Sequence, residues 1–251
     1  MVDVTFIIVN FNTKQLLNSL LSFFESSHFP FSYSIIVVDN NSIDGSRSFL
    51  NEKRGIIVVL NDENIGYGRA VNKGLIFADS KYVCILNTDV VLDNDALSGL
   101  WRFMEKNSNV GVCSPIVYWP NGRIQGFFFK FNMLFFYSDF LNKIYSKIKK
   151  FYLSKAKSAV KVDGVIGAFI FLRRSLIKDN KLFDEDYFFY YEDTDLAHRL
   201  KKDNILTMVL PQYKIIHQDG QSSKDKNWRL FYTGRYIYIK KHYGIEHARR
   251  V

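Results

Sequence analysis

The feature that most constrains this chain is the regular exchange of two hydrophobic periods across its first hundred residues. Val4–Val9 is a short, nearly continuous apolar run, and Thr13–Phe24 then sets Leu16, Leu17, Leu20, Leu21 and Phe24 at helical spacing. The exchange repeats. Ser34–Val38 reads as strand with a short helix from about Gly45, Gly55–Leu60 and Gly68–Ala78 form the next pair, and Lys81–Leu86 and Asp93–Glu105 the last. Strands that are apolar throughout are buried on both faces, and the intervening helices supply the covering layers. The expected class is therefore α/β, with a mainly parallel central sheet flanked by helices. Such sheets bind ligands beyond the carboxyl ends of their strands. The residues there are Asn10, Asp39, Asn61–Asn64 and Asn87–Asp89, all polar apart from the chain between them.

Charge divides the 251 residues in two. Residues 1–125 carry 10 Lys+Arg against 12 Asp+Glu, whereas residues 126–251 carry 24 against 13, and Phe and Tyr crowd into that second half. The expected organisation is one domain of two halves, 1–125 and 126–251. Within the second, Val160–Leu172 reads as a strand, Asp193–Lys202 as a helix, Ile205–Ile216 as a strand and Lys226–His242 as the last helix. A basic amphipathic segment is expected over about 131–157. There Tyr137, Phe140, Leu141, Ile144, Tyr145, Ile148, Phe151 and Tyr152 share one helical face, and Lys143, Lys147 and Lys150 another. No run approaches the roughly 18 apolar residues of a spanning helix, and Met1–Asn10 lacks a basic leader. Cys84 and Cys113 lie in strand-like runs and read as free thiols of a reducing compartment. The expected location is the cytoplasm.

The first strand is followed neither by a dinucleotide glycine fingerprint nor by a loop ending in Gly-Lys-Ser. A nucleotide diphosphate at this sheet edge would need a carboxylate-held divalent cation instead. Asp39 suits either a hydrogen bond to base or ribose or a plain turn. Gly66, Gly68 and Arg69 sit where a helix N-terminus could face an anion. Asp89 is a candidate metal ligand or a helix cap, although Asp93 and Asn94 are better placed to cap. Glu192, Asp193 and Asp195 open a helix behind the aromatic run Tyr187–Tyr191, which would desolvate a carboxylate and raise its basicity. His217 follows a strand and could ligate a metal, touch phosphate or hold structure by a hydrogen bond.

Six segments, in order, resemble glycosyltransferase family 2, the inverting enzymes of GT-A fold. They are Val38-Asp-Asn-Asn-Ser-Ile-Asp-Gly-Ser46, Asn64-Ile-Gly-Tyr-Gly-Arg-Ala-Val-Asn72, Leu86-Asn-Thr-Asp-Val90, Val162-Asp-Gly-Val-Ile-Gly-Ala-Phe169, Tyr191-Glu-Asp-Thr-Asp-Leu-Ala-His-Arg199 and His217-Gln-Asp-Gly-Gln-Ser222. The resemblance implies a Rossmann-like sheet whose first half binds a nucleotide-sugar donor and whose second binds the acceptor. It implies that Asp39 contacts the base, with Asn10 and Asn64 near the nucleoside and Gly66, Arg69 and Asn87 on the donor side. Asp89 would be the remaining acid of the family's Asp-x-Asp motif, binding Mg²⁺ or Mn²⁺ with His217 beside it. Asn87 replaces the first acid and weakens that site. Asp193 would be the general base, with Glu192 next in line, and Gly167, Ala168 and Tyr191 would stand on the acceptor side.

The forms Asn-Thr-Asp-Val and Val-Asp-Gly-Val-Ile-Gly-Ala resemble the rhamnosyltransferase-like branch. That points to dTDP-rhamnose, with UDP-hexoses open, and to a glycan or polyprenyl-diphosphate-linked glycan acceptor in bacterial surface polysaccharide assembly. The basic amphipathic segment could then lie on an anionic membrane, at the inner face of the cell membrane. Two other classes compete. A sugar nucleotidyltransferase would want a Gly-x-Gly-Thr-Arg loop after the first strand, where this chain has Asn10-Phe-Asn-Thr13. A non-catalytic basic module for membrane or nucleic acid would draw on the pI of about 9.3. Acids and amides at the strand ends argue against a nucleic-acid partner.

Overall fold

A computed structural model describes residues 1–126, 139–218 and 227–250. Strand β1 (Val2–Asn10) runs parallel to β2 (Tyr33–Asp39) on one side and β4 (Ser80–Asn87) on the other, and β2 continues to β3 (Ile57–Leu60). Helices α1 (Lys14–Ser26), α2 (Ser46–Glu52) and α3 (Tyr67–Leu75) make the crossovers. Because side chains alternate along a strand, β1 feeds two cores. Phe6 and Ile8 join Leu17, Leu20 and Phe24 of α1, while Ile7 joins Ala70, Val71 and Leu75 of α3 on the opposite face. This is why the strand is apolar at nearly every position.

Beyond β4 the order departs from a simple parallel sheet. The chain forms the two-residue β5 (Val90–Val91), helix α4 (Asn94–Lys106) and β6 (Val110–Tyr118), then α5 (Asp139–Lys155), β7 (Val160–Val162) and β8 (Phe169–Arg173). Helix α6 (Glu192–Lys202), β9 (Leu206–His217), α7 (Trp228–Tyr243) and α8 (Ile245–Ala248) complete it. The sheet order is β3-β2-β1-β4-β8-β6-β9-β5, with β7 also on β9. The longest ladders are parallel, including β6 with β9, but β8 enters antiparallel between β4 and β6, and the short β5 and β7 pair antiparallel with β9. One sheet thus runs through both halves of the sequence.

One expectation meets a difference here. Val160–Leu172 is not one strand: β7 pairs with β9, the chain turns through Gly164–Gly167, and β8 pairs elsewhere. As the sequence favours, Asp93 caps α4, its carboxylate accepting from the amides of Asp95 and Ala96. Of the basic amphipathic segment, 131–138 and with them Tyr137 lie outside the described residues. On α5, Ile144, Ile148, Phe151 and Tyr152 are exposed, Phe151 by 67%, and Leu153 enters the core, while the side chains of Phe140, Leu141, Lys143 and Tyr145 lie outside the described residues. No helix among the described residues is long and apolar enough to cross a membrane. Cys84 and Cys113 are free and buried.

Helix α6 is held to α7 by a buried polar joint. Asp195 receives Arg199 Nε and His242 Nε2, each at 2.7 Å, and His198 Nδ1 meets the Tyr238 hydroxyl at 2.7 Å while its ring stacks on His242. Burial, and then the charge of His242, depress the His198 pKa from 6.5 to about 4. Burial opposes ionisation of Asp195, yet His242 and Arg199 together hold its pKa below the ordinary value. Both groups are depressed in the folded state, so the unfolded chain binds more protons on acidification and stability is lost downward. The melting temperature is expected to fall as pH drops from 6.5 towards 4, and His198→Gln to flatten that slope in thermal melts.

Candidate active site

The site is built where β1, β2 and β4 end side by side, with Asn10 in register with Asp39 and Val9 with Asn87. Asn10 Nδ2 donates to Asp39 Oδ2 at 2.7 Å and to Ser42 Oγ at 3.1 Å, and the Ser42 amide donates to Asp39 Oδ1 at 2.9 Å. The Thr13 hydroxyl donates to Asn10 Oδ1 and lies 2.9 Å from the Thr88 hydroxyl. Buried polar groups are costly unless paired, and this network pairs them across three strand ends. Asn10 and Asp39 are wholly enclosed within it. They brace the wall of the cavity in front of them without lining it.

That cavity has a volume of about 660 Å³. Its polar side is Asn12, Asn40, Asp44, Asn64, Asn87 and Thr88, and its apolar side includes Phe11, Ile43, Tyr67, Phe188, Phe189 and Leu230. Asn64 Oδ1 already accepts from the Gly66 amide and from Asn40 Nδ2, so the amide offers a ligand its N–H donors. Arg69 turns away, its Nε donating to the Glu185 carbonyl. Gly66 is required by its backbone, with φ at +88° and the Phe188 carbonyl so close that an added Cβ would stand 2.5 Å from it. The Tyr67 amide donates to that same carbonyl at 2.9 Å, docking the aromatic run against α3.

Two groups of acids approach the cavity from different halves of the chain. Strand β5 pairs Val90 with His217, which sets Asp89 Oδ1 3.1 Å from His217 Nε2. Asn87 Oδ1 is buried with no hydrogen-bond partner. From the second half, Tyr190 and Tyr191 both take left-handed backbone with φ of 72°. Strain of this kind, about 1–3 kcal/mol per residue, persists only where surroundings enforce it. Here α7 closes on the turn through Gly234, where a Cβ would meet the Tyr190 carbonyl at 2.6 Å.

The turn delivers Glu192 and Asp193 to the start of α6. Asp193 Oδ2 accepts the Gly167 amide at 2.8 Å and Oδ1 accepts the Thr194 amide at 2.6 Å. The Gly167 carbonyl in turn accepts the Tyr67 hydroxyl at 3.0 Å. Ala168 is buried beside it, its carbonyl accepting the Asn87 amide. Burial raises the Asp193 pKa, partly offset by those N–H donors. Burial and the neighbouring Asp193 charge push Glu192 up to about 8, and its Oε2 has no hydrogen-bond partner. Burial and then the charges of Glu192, Asp193 and Asp89 raise Tyr67, so all three acids act on one residue of the cavity wall. Asp195, third in the acidic run, belongs to the joint with α7.

Sequence reasoning missed Gln125, whose side chain meets both the carbonyl and the ring of His217. The signal for it was the Pro120-Asn-Gly122 turn, which marks a hairpin returning from β6. The motif beyond Gln218 lies outside the described residues. Gly66→Ala is expected to cost about 1–3 kcal/mol, since the side chain must displace backbone from a conformation it cannot share. Thermal melts with nucleotide titrations would show the loss in both stability and binding.

The family model described as Glycosyl transferase family 2 matches residues 5–180. Over 210 residues the chain is 24% identical to the N-acetylglucosaminyl-diphospho-decaprenol L-rhamnosyltransferase of Mycobacterium tuberculosis (strain ATCC 25618 / H37Rv), covering 76% of this chain and 68% of that protein. It is 28% identical to Rhamnosyltransferase WbbL of Escherichia coli (strain K12) over 172 residues, covering 65% and 64%. The chain thus spans about two thirds of the length of these relatives. Its fold matches that of the mannosyltransferase PcManGT from Pyrobaculum calidifontis, solved with GDP-Man and Mn²⁺. The TM-score is 0.60 at 16% identity, covering 99% of this chain and 73% of that one. The family match sets aside the nucleotidyltransferase and the non-catalytic readings. Its span of more than half the sequence, on a GT-A sheet with acids gathered at the strand ends, shows that the chain belongs to glycosyl transferase family 2 and is a glycosyltransferase.

Proposed function

We propose that this enzyme moves a sugar, with inversion, from a nucleoside-diphosphate donor to a hydroxyl of a glycan acceptor. The observation that carries the proposal is the link from the cavity wall to the acids of α6: Tyr67 lines the cavity and donates to the Gly167 carbonyl, and the Gly167 amide donates to the Asp193 carboxylate. The donor side is the sheet edge with Asn64 and Asn87, and the acceptor side is Gly167, Ala168 and Tyr191. The rhamnosyltransferase names of two relatives support dTDP-rhamnose as donor and a polyprenyl-diphosphate-linked glycan as acceptor, in surface polysaccharide assembly. UDP-hexoses are the alternative that nucleotide binding discriminates.

The residues fit a divalent cation. Asp89 and His217 supply a carboxylate and an imidazole 3.1 Å apart, and Asn87 Oδ1 is a buried oxygen without a partner. Mg²⁺ or Mn²⁺ takes such a small protein donor set and fills the rest with water and phosphate. When bound, it neutralises charge developing on the departing diphosphate. Asp193 performs the proton transfer. N–H donors from Gly167 and Thr194 favour its ionised form, while Glu192, with no hydrogen-bond partner on one oxygen, keeps its proton to higher pH. The Asp193 carboxylate takes the acceptor hydroxyl proton as that oxygen bonds to the anomeric carbon from the face opposite the leaving group. The bond from the anomeric carbon to the diphosphate oxygen breaks, and no covalent enzyme intermediate forms.

The exposed Ile144, Ile148, Phe151 and Tyr152 of α5, flanked by Lys147, Lys150 and Lys155, fit an anionic lipid surface. Salt-sensitive cosedimentation with anionic vesicles is expected, and an absence of binding would remove this part of the reading.

Asp193→Asn is expected to leave donor binding intact and lower transfer by about 10²–10⁴-fold. Glu192→Gln, which keeps the uncharged state, is expected to cost far less, as measured by single-turnover transfer. Calorimetry of dTDP and UDP, each with and without Mn²⁺, tests donor class and cation together. Metal-strengthened binding of one nucleotide is expected, and its loss in Asp89→Ala; no binding of either would overturn the proposal.

A further inference from the structure

Gln125 lies outside the six segments that carry the family resemblance, yet it is only 3% exposed and its side-chain amide is spent on a single residue. After β6 the chain reverses through Pro120-Asn-Gly122, with the Trp119 amide donating to the Arg123 carbonyl and Gly122 at φ +76°. The Gln125 amide donates to the Val117 carbonyl at 2.8 Å, which carries the side chain to the end of β9. There the amide grips His217 at two points. Nε2 lies 3.2 Å from the His217 carbonyl oxygen, and Oε1 lies 2.9 Å from His217 Nδ1.

This pairing fixes more than a position. A backbone carbonyl can only accept, so the amide end facing it is the NH₂ end. The other end is then the oxygen, which also can only accept, so the hydrogen of the ring must sit on Nδ1. In the neutral ring His217 Nε2 is then the atom with a lone pair to give, and it faces Asp89 Oδ1 at 3.1 Å; in the imidazolium it would donate to that oxygen instead. A positive charge at Nε2, a proton or a metal ion, is what holds a ring nitrogen and a carboxylate oxygen that close, and either one needs the ring turned with Nδ1 towards Gln125. Histidines that ligate metals are commonly oriented in this way, by a hydrogen bond to the ring nitrogen that does not ligate.

We propose that Gln125 is a positioning residue for the cation site: it holds His217 in the Nδ1–H tautomer, with Nε2 presented beside Asp89. The inference rests on the reading of Asp89 and His217 as cation ligands, and the experiment separates the two. The amide would otherwise be a tie between hairpin and β9, a role indifferent to which ring nitrogen carries hydrogen.

The test compares wild type with Gln125→Met, which keeps the length but removes both hydrogen-bonding atoms, and Gln125→Glu, which keeps an acceptor for Nδ1–H. Long-range ¹⁵N–¹H spectra of the metal-free proteins read the tautomer of His217, assigned by its disappearance in His217→Gln. Electron paramagnetic resonance reads the uptake of Mn²⁺, alone and with dTDP or UDP. The expected results are an Nδ1–H ring in wild type and Gln125→Glu, a loss of that preference in Gln125→Met, and Mn²⁺ affinity weakened about 10–100-fold in Gln125→Met alone. A wild-type ring carrying its hydrogen on Nε2 alone, or a tautomer and Mn²⁺ affinity unmoved in Gln125→Met, would overturn the role of Gln125. A wild type that takes up Mn²⁺ in none of the mixtures would overturn the cation site itself, while the metal-free spectra still decide whether Gln125 sets the tautomer.

Discussion

The backbone ladder of β8 joins the two halves of the enzyme, and the placement of the site depends on it. Phe169–Arg173 pairs with β4 along one edge and β6 along the other, so a strand from the second half is locked inside the sheet of the first. Its entry is Gly167-Ala168. The Ala168 carbonyl accepts the amide of Asn87, and Gly167 is held between the Tyr67 hydroxyl and the Asp193 carboxylate. A side chain at Gly167 would press on Asp193, with a Cβ 3.3 Å from that residue's own. The strand-end residues of the first half and the acids that open α6 are therefore tied through one dipeptide of backbone.

Around that tie the fold keeps several acids out of water, and each is handled differently. Asp39 is matched by the Asn10 amide and the Ser42 N–H, and Asp195 by Arg199 and His242. Glu192 is left with an unpartnered oxygen and accordingly keeps its proton to higher pH. Asp193 lies between these extremes, burial raising its pKa and the N–H donors of Gly167 and Thr194 partly offsetting that rise. Asp89 faces an imidazole whose orientation a buried glutamine sets. The acids paired to side chains hold elements together, while Glu192 and Asp193 are joined to the cavity wall through Gly167 and Tyr67.

Much of the first half was legible in its sequence. The periods of β1 to β4 and of α1, α3 and α4 located the strands and helices to within a few residues. The rule that ligands sit beyond parallel strand ends then picked out Asn10, Asp39, Asn64 and Asn87–Asp89 as a group. It did not divide them by task. Asn64 and Asn87 line the cavity while Asn10 and Asp39 brace it from behind, and Arg69 leaves for the Glu185 carbonyl. Strand-end position is a one-dimensional property, whereas access to a cavity depends on which neighbours stand in front.

The sequence by itself determined the layered α/β class, the line of polar strand ends and the acidic start of α6, because these follow from local periodicity and from residue types adjacent along the chain. Only the tertiary structure decided the rest. It split Val160–Leu172 into two strands with different partners and drew a two-residue strand onto β9 so that Asp89 meets His217. It turned Gln125 onto that histidine and bent two tyrosines into left-handed backbone against Gly234. Each depends on atoms distant in sequence that come within hydrogen-bonding or van der Waals reach, and no pattern along the chain encodes that distance.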